Sequence, residues 1–182
     1  MSKAFVALAV LALLAGCSHG PKVNSSTGMV MDVMEAKIEP TQGNHCNGIV
    51  DFIGQKDGSV KVVADLQALE PNTEHAIHLH EVGDCSAPDA MSAKAHYNPE
   101  NKPHGIPPAE ERHAGDLGNF TTDDKGKAHY EITVSNLTMA TSRNPVLGRA
   151  VIIHAAKDDG SQPAGNAGAR IGCGVIVVQG LK

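Results

Sequence analysis

Short runs of alternating apolar and polar residues, separated by turn signals, fill the chain from about residue 29 onward. No window in this stretch combines a helix start, an apolar stripe at helical spacing and a helix stop. Glycine, asparagine and aspartate in segments such as 55–58 and 123–126 indicate hairpin turns between the runs. The pattern therefore predicts an all-β sandwich or barrel. The clearest runs are 49–53, 60–66, 128–134, 150–154 and 171–178.

Two stretches between the predicted strands are too long to be simple turns. They cover roughly residues 83–117 and 157–170. Irregular connections of this length in a compact domain usually carry function. Both adjoin histidines, so we expect the functional residues of the protein to gather around them.

Composition agrees with a β-rich core. Aromatic residues make up 3% of the 182 residues and tryptophan is absent, so valine, isoleucine, leucine and alanine must fill the interior. Branched side chains of this kind pack well on a pleated sheet. The length and the 41% hydrophobic content suit one compact domain once the ends are set aside. A formal net charge of -5 with no basic run argues against binding to nucleic acid.

The first residues have the pattern of an export signal. Lys3 precedes an apolar run over 4–15, which is shorter than the about 20 residues that a membrane-spanning helix needs. The ending Leu14-Ala15-Gly16-Cys17 resembles the bacterial lipobox, which predicts a signal peptide over 1–16 and a lipid on Cys17. The alternative is ordinary cleavage nearby, with Cys17 lost or free.

The segment 17–28 is rich in serine, glycine, proline and asparagine, and we interpret it as a flexible tether. Residues 29–182 then form the folded domain. A lipid at Cys17 would be the sole membrane contact and would hold the protein in the bacterial cell envelope, facing the periplasm. The sequence leaves open which membrane the lipid enters, and whether the protein is a monomer or a homodimer.

Export places the remaining cysteines in an oxidising compartment, where one pair and one leftover thiol are expected. A Cys85–Cys173 bridge would fasten the loop after the first histidine pair to a late apolar strand. In the chain-entropy model, closing so long a loop stabilises the fold by about 4–5 kcal/mol. We expect Cys46 to be the lone thiol, although its pairing with Cys85 or Cys173 stays open at this point.

Histidines and one aspartate are concentrated in the middle of the chain. Imidazole and carboxylate groups are the ligands that borderline metals such as copper and zinc prefer. The sequence therefore predicts a metalloprotein. The residues concerned are His78, His80, His96, His104, His113, Asp116 and His154.

Strand periodicity separates these residues into groups. In the run 76–80, a period of two places His78 and His80 on one face and the apolar residues between them on the other. Two histidines at this spacing are a weak signal alone, but His154 ends another apolar run and could supply a third nitrogen. His104, His113 and Asp116 fall within the first long loop, where a metal would replace a hydrophobic core. The alternative is a solvated loop with scattered polar residues.

Four longer strings contain most of these residues together with their neighbours. They are Ala76-Ile77-His78-Leu79-His80-Glu81-Val82-Gly83-Asp84, His96-Tyr97-Asn98-Pro99, Arg112-His113-Ala114-Gly115-Asp116-Leu117-Gly118 and Gly165-Asn166-Ala167-Gly168-Ala169-Arg170-Ile171-Gly172-Cys173-Gly174-Val175-Ile176. In this order they resemble the copper/zinc superoxide dismutases, from about residue 30 to the end. The resemblance implies a Greek-key β-sandwich or flattened barrel of eight strands. It also implies copper and zinc as cofactors and superoxide as substrate, converted to dioxygen and hydrogen peroxide.

The same resemblance implies a role for each candidate ligand. His96 is expected to bridge the two metals and to carry a proton during turnover. Copper would be bound by His78, His80, His96 and His154, and zinc by His96, His104, His113 and Asp116.

Two further residues receive roles from the resemblance. Asp158 matches an aspartate that links a copper histidine to a zinc histidine and orients both rings. Arg170 matches an arginine beside the copper, where its guanidinium can hold an anionic substrate. Because the net charge is negative, a local positive focus must attract superoxide. Our hypothesis assigns that focus to Arg170, helped by Lys94, Lys102 or Lys157.

The other histidines are expected outside the metal sites. His75 matches a structural histidine that bonds to the backbone, and His19 and His129 are expected at the surface. His45 beside Cys46 could bind copper adventitiously, but a plain loop position is favoured.

The chain departs from many relatives in three places. Ala76-Ile77 stands where many have Gly-Phe, and the position of Cys85 after His80 resembles the bacterial periplasmic branch. The last loop lacks the acidic and lysine-rich stretch that many eukaryotic relatives have.

Two alternatives to the enzyme are a metal-buffering or metal-delivering lipoprotein and a structural or adhesive β-sandwich. The full ligand set together with Arg170 favours the enzyme.

Overall fold

The computed structural model describes residues 33–180, which form an all-β fold of eight antiparallel strands. The helical content of this part of the chain is one 3-10 turn, Met91–Ala93, and no helix in it is long and apolar enough to cross a membrane. The predicted fold class is confirmed. The strands are β1 Val33–Pro40, β2 Asn47–Gly54, β3 Val60–Gln67, β4 Glu74–His80, β5 Asp116–Thr121, β6 Ala128–Val134, β7 Ala150–His154 and β8 Arg170–Val178.

The strands follow the order β5-β4-β7-β8-β1-β2-β3-β6 in one sheet that curls on itself. Strands β1 to β3 form a meander, whereas β4 lies far from β3 and pairs with β5 and β7. The sheet edges β5 and β6 meet where the Tyr130 hydroxyl donates to the Leu117 carbonyl at 2.6 Å. This contact draws the two edges together into a flattened barrel, as expected for the Greek-key arrangement.

The interior is built from inward-facing aliphatic side chains. Met34, Ala36 and Ile38 on β1 and Val50 and Phe52 on β2 are buried, while the residues that alternate with them are more exposed. At about 25 cal/mol per Å² of apolar surface, each of these side chains larger than alanine contributes roughly 1.5–3 kcal/mol to folding. A smaller apolar cluster lies under the first long loop and includes Ala90, Ala150 and Ile152. The loop is therefore packed onto the barrel.

Five predicted runs coincide with β2, β3, β6, β7 and β8 to within two residues at each end. The two long connections are also present, as the first long loop (81–115) and the second long loop (155–169). The predicted signal peptide 1–16, the tether 17–28 with Cys17 and the first residues of the predicted domain lie outside the described residues.

A disulfide bond between Cys85 and Cys173 fastens the first long loop to β8, as expected, and closes an 88-residue span of chain. Cys46 is a free thiol and is buried, so the expected leftover cysteine is confirmed. Burial raises the pKa of the Cys46 thiol to about 12, which keeps it protonated and unreactive.

Candidate metal centre

Strand β4 presents two histidines to the side of the sheet opposite the main core. Ile77 and Leu79 belong to the core cluster, whereas His78 and His80 point the other way, as the alternation predicts. Both histidines are nevertheless buried, because the two long loops cover that side of β4. A rigid strand thus holds two imidazoles in a site away from bulk water.

Strand register brings the remaining groups to these histidines. His78 lies opposite Asp116 on β5, and His154 at the end of β7 lies opposite Arg170 at the start of β8. His96 forms an isolated antiparallel bridge with His80 from within the first long loop. Residues far apart in sequence therefore meet at one end of β4.

Two adjoining clusters result, and His96 belongs to both. In each cluster one ligand atom per residue lies within 4.8 Å of all the others. The first cluster consists of His78, His80, His96 and His154, and the second of His96, His104, His113 and Asp116.

Distances in the second cluster match a four-coordinate metal. Asp116 Oδ1 lies 2.9 Å from His96 Nδ1 and 3.3 Å from His113 Nδ1, and Asp116 Oδ2 lies 3.0 Å from His104 Nδ1. Zinc–nitrogen bonds of 2.0–2.1 Å in a tetrahedron place neighbouring ligand atoms about 3.3 Å apart. The backbone N–H groups of Gly105 and His113 also donate to Asp116, so the carboxylate is held in place.

Four of the histidine rings are each held by a hydrogen bond through only one of their two nitrogens. His80 Nδ1 donates to the Lys94 carbonyl at 2.8 Å, and His154 Nδ1 points at the Gly168 carbonyl at 3.4 Å. His78 Nε2 and His104 Nε2 donate to the two oxygens of Asp158 at 3.0 and 2.9 Å. Carbonyl and carboxylate oxygens only accept, so the anchored nitrogen of each ring carries the proton.

The second nitrogen of each of these rings therefore carries a lone pair. Those nitrogens, His78 Nδ1, His80 Nε2, His104 Nδ1 and His154 Nε2, are buried without a hydrogen-bond partner. His104 Nδ1 even faces the Asp116 carboxylate at 3.0 Å, a repulsive contact unless a cation lies between them. Metal-binding histidines have this arrangement, with one nitrogen oriented by a partner and the other free to bind. Both clusters thus fit a metal ion.

The charge states of these groups suit metal binding at neutral pH. Burial lowers the pKa of His78 to about 4, of His80 to about 2 and of His154 to about 3, so all three rings are neutral. Burial opposes ionisation of Asp116 and Asp158, but hydrogen bonds, chiefly from His96 and His78 respectively, outweigh it and hold each pKa below its usual value.

Arg170 lies at the wall of an open cavity of about 940 Å³ that reaches His80, His96 and His154. Its two terminal nitrogens donate to the carbonyls of Ala90 and Lys94, both at 2.7 Å, which fixes the guanidinium toward the cavity. The first cluster is therefore reached from solvent past a fixed cation.

None of the three lysines considered for substrate attraction is among the residues that line the cavity. The side chains of Lys94, Lys102 and Lys157 do not line the cavity, and among the described residues Arg170 is the one lysine or arginine that does. Lys102 lies 3.6 Å from Glu100, and Lys157 lies 3.5 Å from Glu74. The charges of Lys102 and Lys157 are thus partly offset by these carboxylates.

The remaining histidines are placed outside both clusters. His75 is buried and its Nδ1 donates to the His154 carbonyl at 2.8 Å, the backbone-bonding role expected for it. His129 is exposed and lies 2.7 Å from Asp65, and His45 is exposed in the loop between β1 and β2. His19 lies outside the described residues.

Two amide side chains hold the site together and were not singled out from the sequence. Asn119 on β5 pairs with both the N–H and the carbonyl of Asp158, at 2.8 and 2.9 Å. Gln162 pairs in the same way with the N–H and the carbonyl of His104, at 3.0 and 2.8 Å. No sequence motif or spacing marks either residue, because each bonds to backbone atoms of a residue that is distant in sequence and brought near by the fold.

Fold and site together define a class: an all-β metalloprotein with two adjoining metal clusters that share one histidine. A family model of the copper/zinc superoxide dismutases matches residues 46–176. The chain belongs to the copper/zinc superoxide dismutase family. Copper and zinc are the metals of this family, and the protein is accordingly an oxidoreductase.

Individual relatives agree with this assignment. The chain is 42% identical over 127 residues to superoxide dismutase 1 (Cu-Zn) of Aquifex aeolicus, covering 67% of this chain and 75% of the relative. It is 41% identical over 136 residues to the Cu-Zn superoxide dismutase of Paramecium bursaria Chlorella virus 1, covering 71% of each chain.

Solved structures show the same fold. The clock protein EA4 aligns with a TM-score of 0.72 and 32% identity over 81% of this chain and 94% of its own. A double mutant of a superoxide dismutase-like protein from Bacillus subtilis aligns with a TM-score of 0.70 and 32% identity, over 77% of this chain and 94% of its own.

Proposed function

We propose that this protein converts two superoxide ions and two protons to dioxygen and hydrogen peroxide at copper bound in the first cluster. Zinc would be held by the second cluster, which shares His96 with the first. The observation that carries the proposal is the double membership of His96. Its Nδ1 lies 2.9 Å from Asp116 and 3.4 Å from His113 Nδ1, which leaves Nε2 for the first cluster.

The two clusters differ in ways that assign the metals. The first cluster offers four nitrogens and adjoins the open cavity beside Arg170, which suits a redox-active copper that must meet its substrate. The second offers three nitrogens and one carboxylate oxygen in near-tetrahedral spacing, which suits a structural zinc. Copper therefore belongs in the first cluster and zinc in the second.

Copper held by the first cluster would supply one-electron redox chemistry between Cu(II) and Cu(I), accepting an electron from one superoxide and giving it to the next. Arg170 holds the incoming anion at the cavity wall, and the carbonyls of Ala90 and Lys94 keep its guanidinium in place. Whenever Nε2 of His96 is not bound to copper, its lone pair can take a proton from solvent and donate it to the reduced substrate, and water would supply the second proton. Asp158 keeps the rings of His78 and His104 aligned throughout.

Two other functions are compatible with metal binding. A metal-buffering or metal-delivering protein would use the same clusters without turnover, and a structural β-sandwich would use zinc alone. Neither requires a guanidinium fixed at the entrance to the first cluster, since anion binding contributes nothing to metal storage or to packing. Arg170 therefore favours the dismutase.

Metal analysis combined with a superoxide-decay assay tests the proposal. The wild-type protein should contain one copper and one zinc per chain and should accelerate superoxide decay. His154→Ala should lose copper and activity but keep zinc, because His154 belongs only to the first cluster. A wild-type protein that holds zinc alone and leaves superoxide decay unchanged would support the structural alternative.

We further propose that the protein protects the bacterial cell envelope, held on its periplasmic side by a lipid on Cys17. The lipobox-like sequence and the Cys85–Cys173 disulfide, which suits an oxidising compartment, support this location. Cells fed labelled palmitate should incorporate it into the wild-type protein and not into Cys17→Ser. Release of the unmutated protein as a lipid-free soluble form would refute the anchor.

A further inference from the structure

The entrance to the first cluster holds one acidic residue that the proposed function does not use. Besides Arg170, Asp89 is the one other formally charged side chain, histidines apart, that lines the cavity within residues 33–180. Asp89 is exposed, and the two terminal nitrogens of Arg170 bond to backbone carbonyls and not to its carboxylate. The carboxylate thus remains free to act on ions in the cavity.

Asp89 also belongs to the segment that fixes Arg170. Its Oδ1 accepts from the N–H of Met91 at 3.0 Å, which begins the 3-10 turn Met91–Ala93. The two carbonyls that hold the guanidinium, from Ala90 and Lys94, flank that turn. The local fold therefore sets the carboxylate and the guanidinium at one entrance. Burial lowers the pKa of Arg170, and the charge of Asp89 acts in the opposite direction, which indicates that the two charges interact.

Size cannot select the substrate at the cavity mouth. A cavity of about 940 Å³ admits molecules far larger than a diatomic anion, including phosphate. A lone guanidinium in such a cavity would bind divalent phosphate better than monovalent superoxide, because Coulomb attraction scales with ligand charge. Selection at this entrance must therefore come from the local charge balance.

We propose that Asp89 is a specificity-determining residue, whose carboxylate offsets the charge of Arg170 so that multivalent anions are held weakly while superoxide still passes. This inference rests on the proposed function, since it concerns access to the same first cluster. Repulsion by Asp89 also scales with ligand charge, so it penalises divalent phosphate more than a monovalent anion. Asp89 lowers the attraction for every anion, and the gain is freedom from occupation by phosphate.

Asp89→Asn tests the charge alone, since asparagine keeps the oxygen that accepts from Met91. Asp57→Asn is a matched control, because Asp57 Oδ1 accepts in the same way from the N–H of Ser59 at 3.0 Å in the exposed β2–β3 hairpin. Both variants change the net charge by one unit, but only one changes it at the cavity. Asp89→Glu keeps the charge and lengthens the side chain by one methylene.

The first measurement needs neither metals nor turnover. Metal-free protein is labelled with phenylglyoxal at pH 8, and protection of the Arg170 peptide by phosphate or by nitrate is quantified by mass spectrometry. At low ionic strength, Asp89→Asn should raise the apparent phosphate affinity by about threefold and the nitrate affinity by less. Asp57→Asn and Asp89→Glu should match the wild type. Equal phosphate affinity in Asp89→Asn and Asp57→Asn would overturn the proposal.

The second measurement follows superoxide decay in the metal-loaded protein. Asp89→Asn should be faster than the wild type at low ionic strength and more strongly inhibited by phosphate, and both differences should shrink as salt screens the charge. Inhibition by phosphate that is equal in the wild type and Asp89→Asn would contradict the inference. If the metal-loaded wild type does not accelerate superoxide decay, the proposed function is refuted. The labelling result would still report the effect of Asp89 on anion binding.

Discussion

Gly165 lies directly against the hydrogen bond between Asp158 and His104. A Cβ atom built at this position would overlap Asp158 Oδ1 and lie 2.7 Å from His104 Nε2. The backbone there has φ +78°, a conformation that other residues rarely adopt. Absence of a side chain at this position therefore lets the second long loop cover the link between the two clusters.

We predict that Gly165→Ala weakens zinc binding by roughly tenfold, in the range found when a group that orients a metal ligand is disturbed. The added methyl must push Asp158 away from His104, which frees the His104 ring. Competition with a chelator measures the zinc affinity. Gly43→Ala is the control, since Gly43 has φ +79° and nothing within 4 Å of its built Cβ. Equal zinc affinity in both variants would show that the contact with Asp158 does not weaken zinc binding.

Sequence could supply the ligands and, through the family resemblance, Asp158, but not the backbone groups that orient His80 and His154. Histidine and aspartate are recognisable because their side chains bind metals, and spacing along β4 predicted which face His78 and His80 share. The carbonyls of Lys94 and Gly168 that anchor His80 and His154 are backbone atoms, so no residue type marks them. Their positions depend on loop conformations that only the folded chain defines.

At the scale of strands and loops, two strands were absent from the predicted runs for different reasons. Strand β1 alternates regularly, with Met34, Ala36 and Ile38 inward, but its outward residues are glutamate and lysine, which are uncommon in strands. Strand β5 is short and contains Gly118, and its polar residues serve the site. In β1, pairing on both sides outweighs a weak local preference. In β5, polar residues that the metal site uses interrupt the alternating apolar pattern that would have marked a strand.

The two long loops are joined through Gln162, whose side-chain amide pairs with both backbone groups of His104. We predict that Gln162→Ala speeds zinc release by several-fold, because each of the two lost hydrogen bonds contributes about 1 kcal/mol. Transfer of zinc to a coloured chelator gives the rate. Gln55→Ala is a suitable control, since Gln55 makes an exposed bond to its own hairpin. Zinc release as slow in Gln162→Ala as in Gln55→Ala would mean that the loops hold together without this contact.

At the scale of the whole molecule, a barrel with a mostly aliphatic core supports a site made largely of buried polar groups. Burying neutral imidazoles is tolerable only while they stay unprotonated, since a buried charge without a partner is costly. While no metal is bound, the folded barrel must therefore keep the buried imidazoles neutral. Stability of the metal-free protein should consequently depend on pH in a way that the core alone would not produce.

We predict that the metal-free protein, with its disulfide intact, loses stability as pH falls from 7.5 to 5. Imidazole in the unfolded chain titrates near 6.5, whereas the folded pKa values are about 4 for His78, about 2 for His80 and about 3 for His154. Between these values the unfolded chain binds more protons than the folded one, so the free energy of unfolding decreases as pH falls. Urea unfolding followed at pH 7.5, 6 and 5 measures the loss.

Replacing one buried histidine should reduce that dependence on pH, and replacing an exposed one should not. His80→Gln removes a ring with a lowered pKa, so its unfolding free energy should fall less between pH 7.5 and 5. His129→Gln removes an exposed ring whose pKa is raised by its hydrogen bond to Asp65. That ring contributes stability below its unfolded value of about 6.5 and loses it as pH rises, so its removal should leave the acid loss intact or make it slightly larger. A stability of the metal-free wild type that is constant from pH 7.5 to 5 would contradict the neutral, desolvated state assigned to the three rings, and with it the physical basis for their readiness to bind metal.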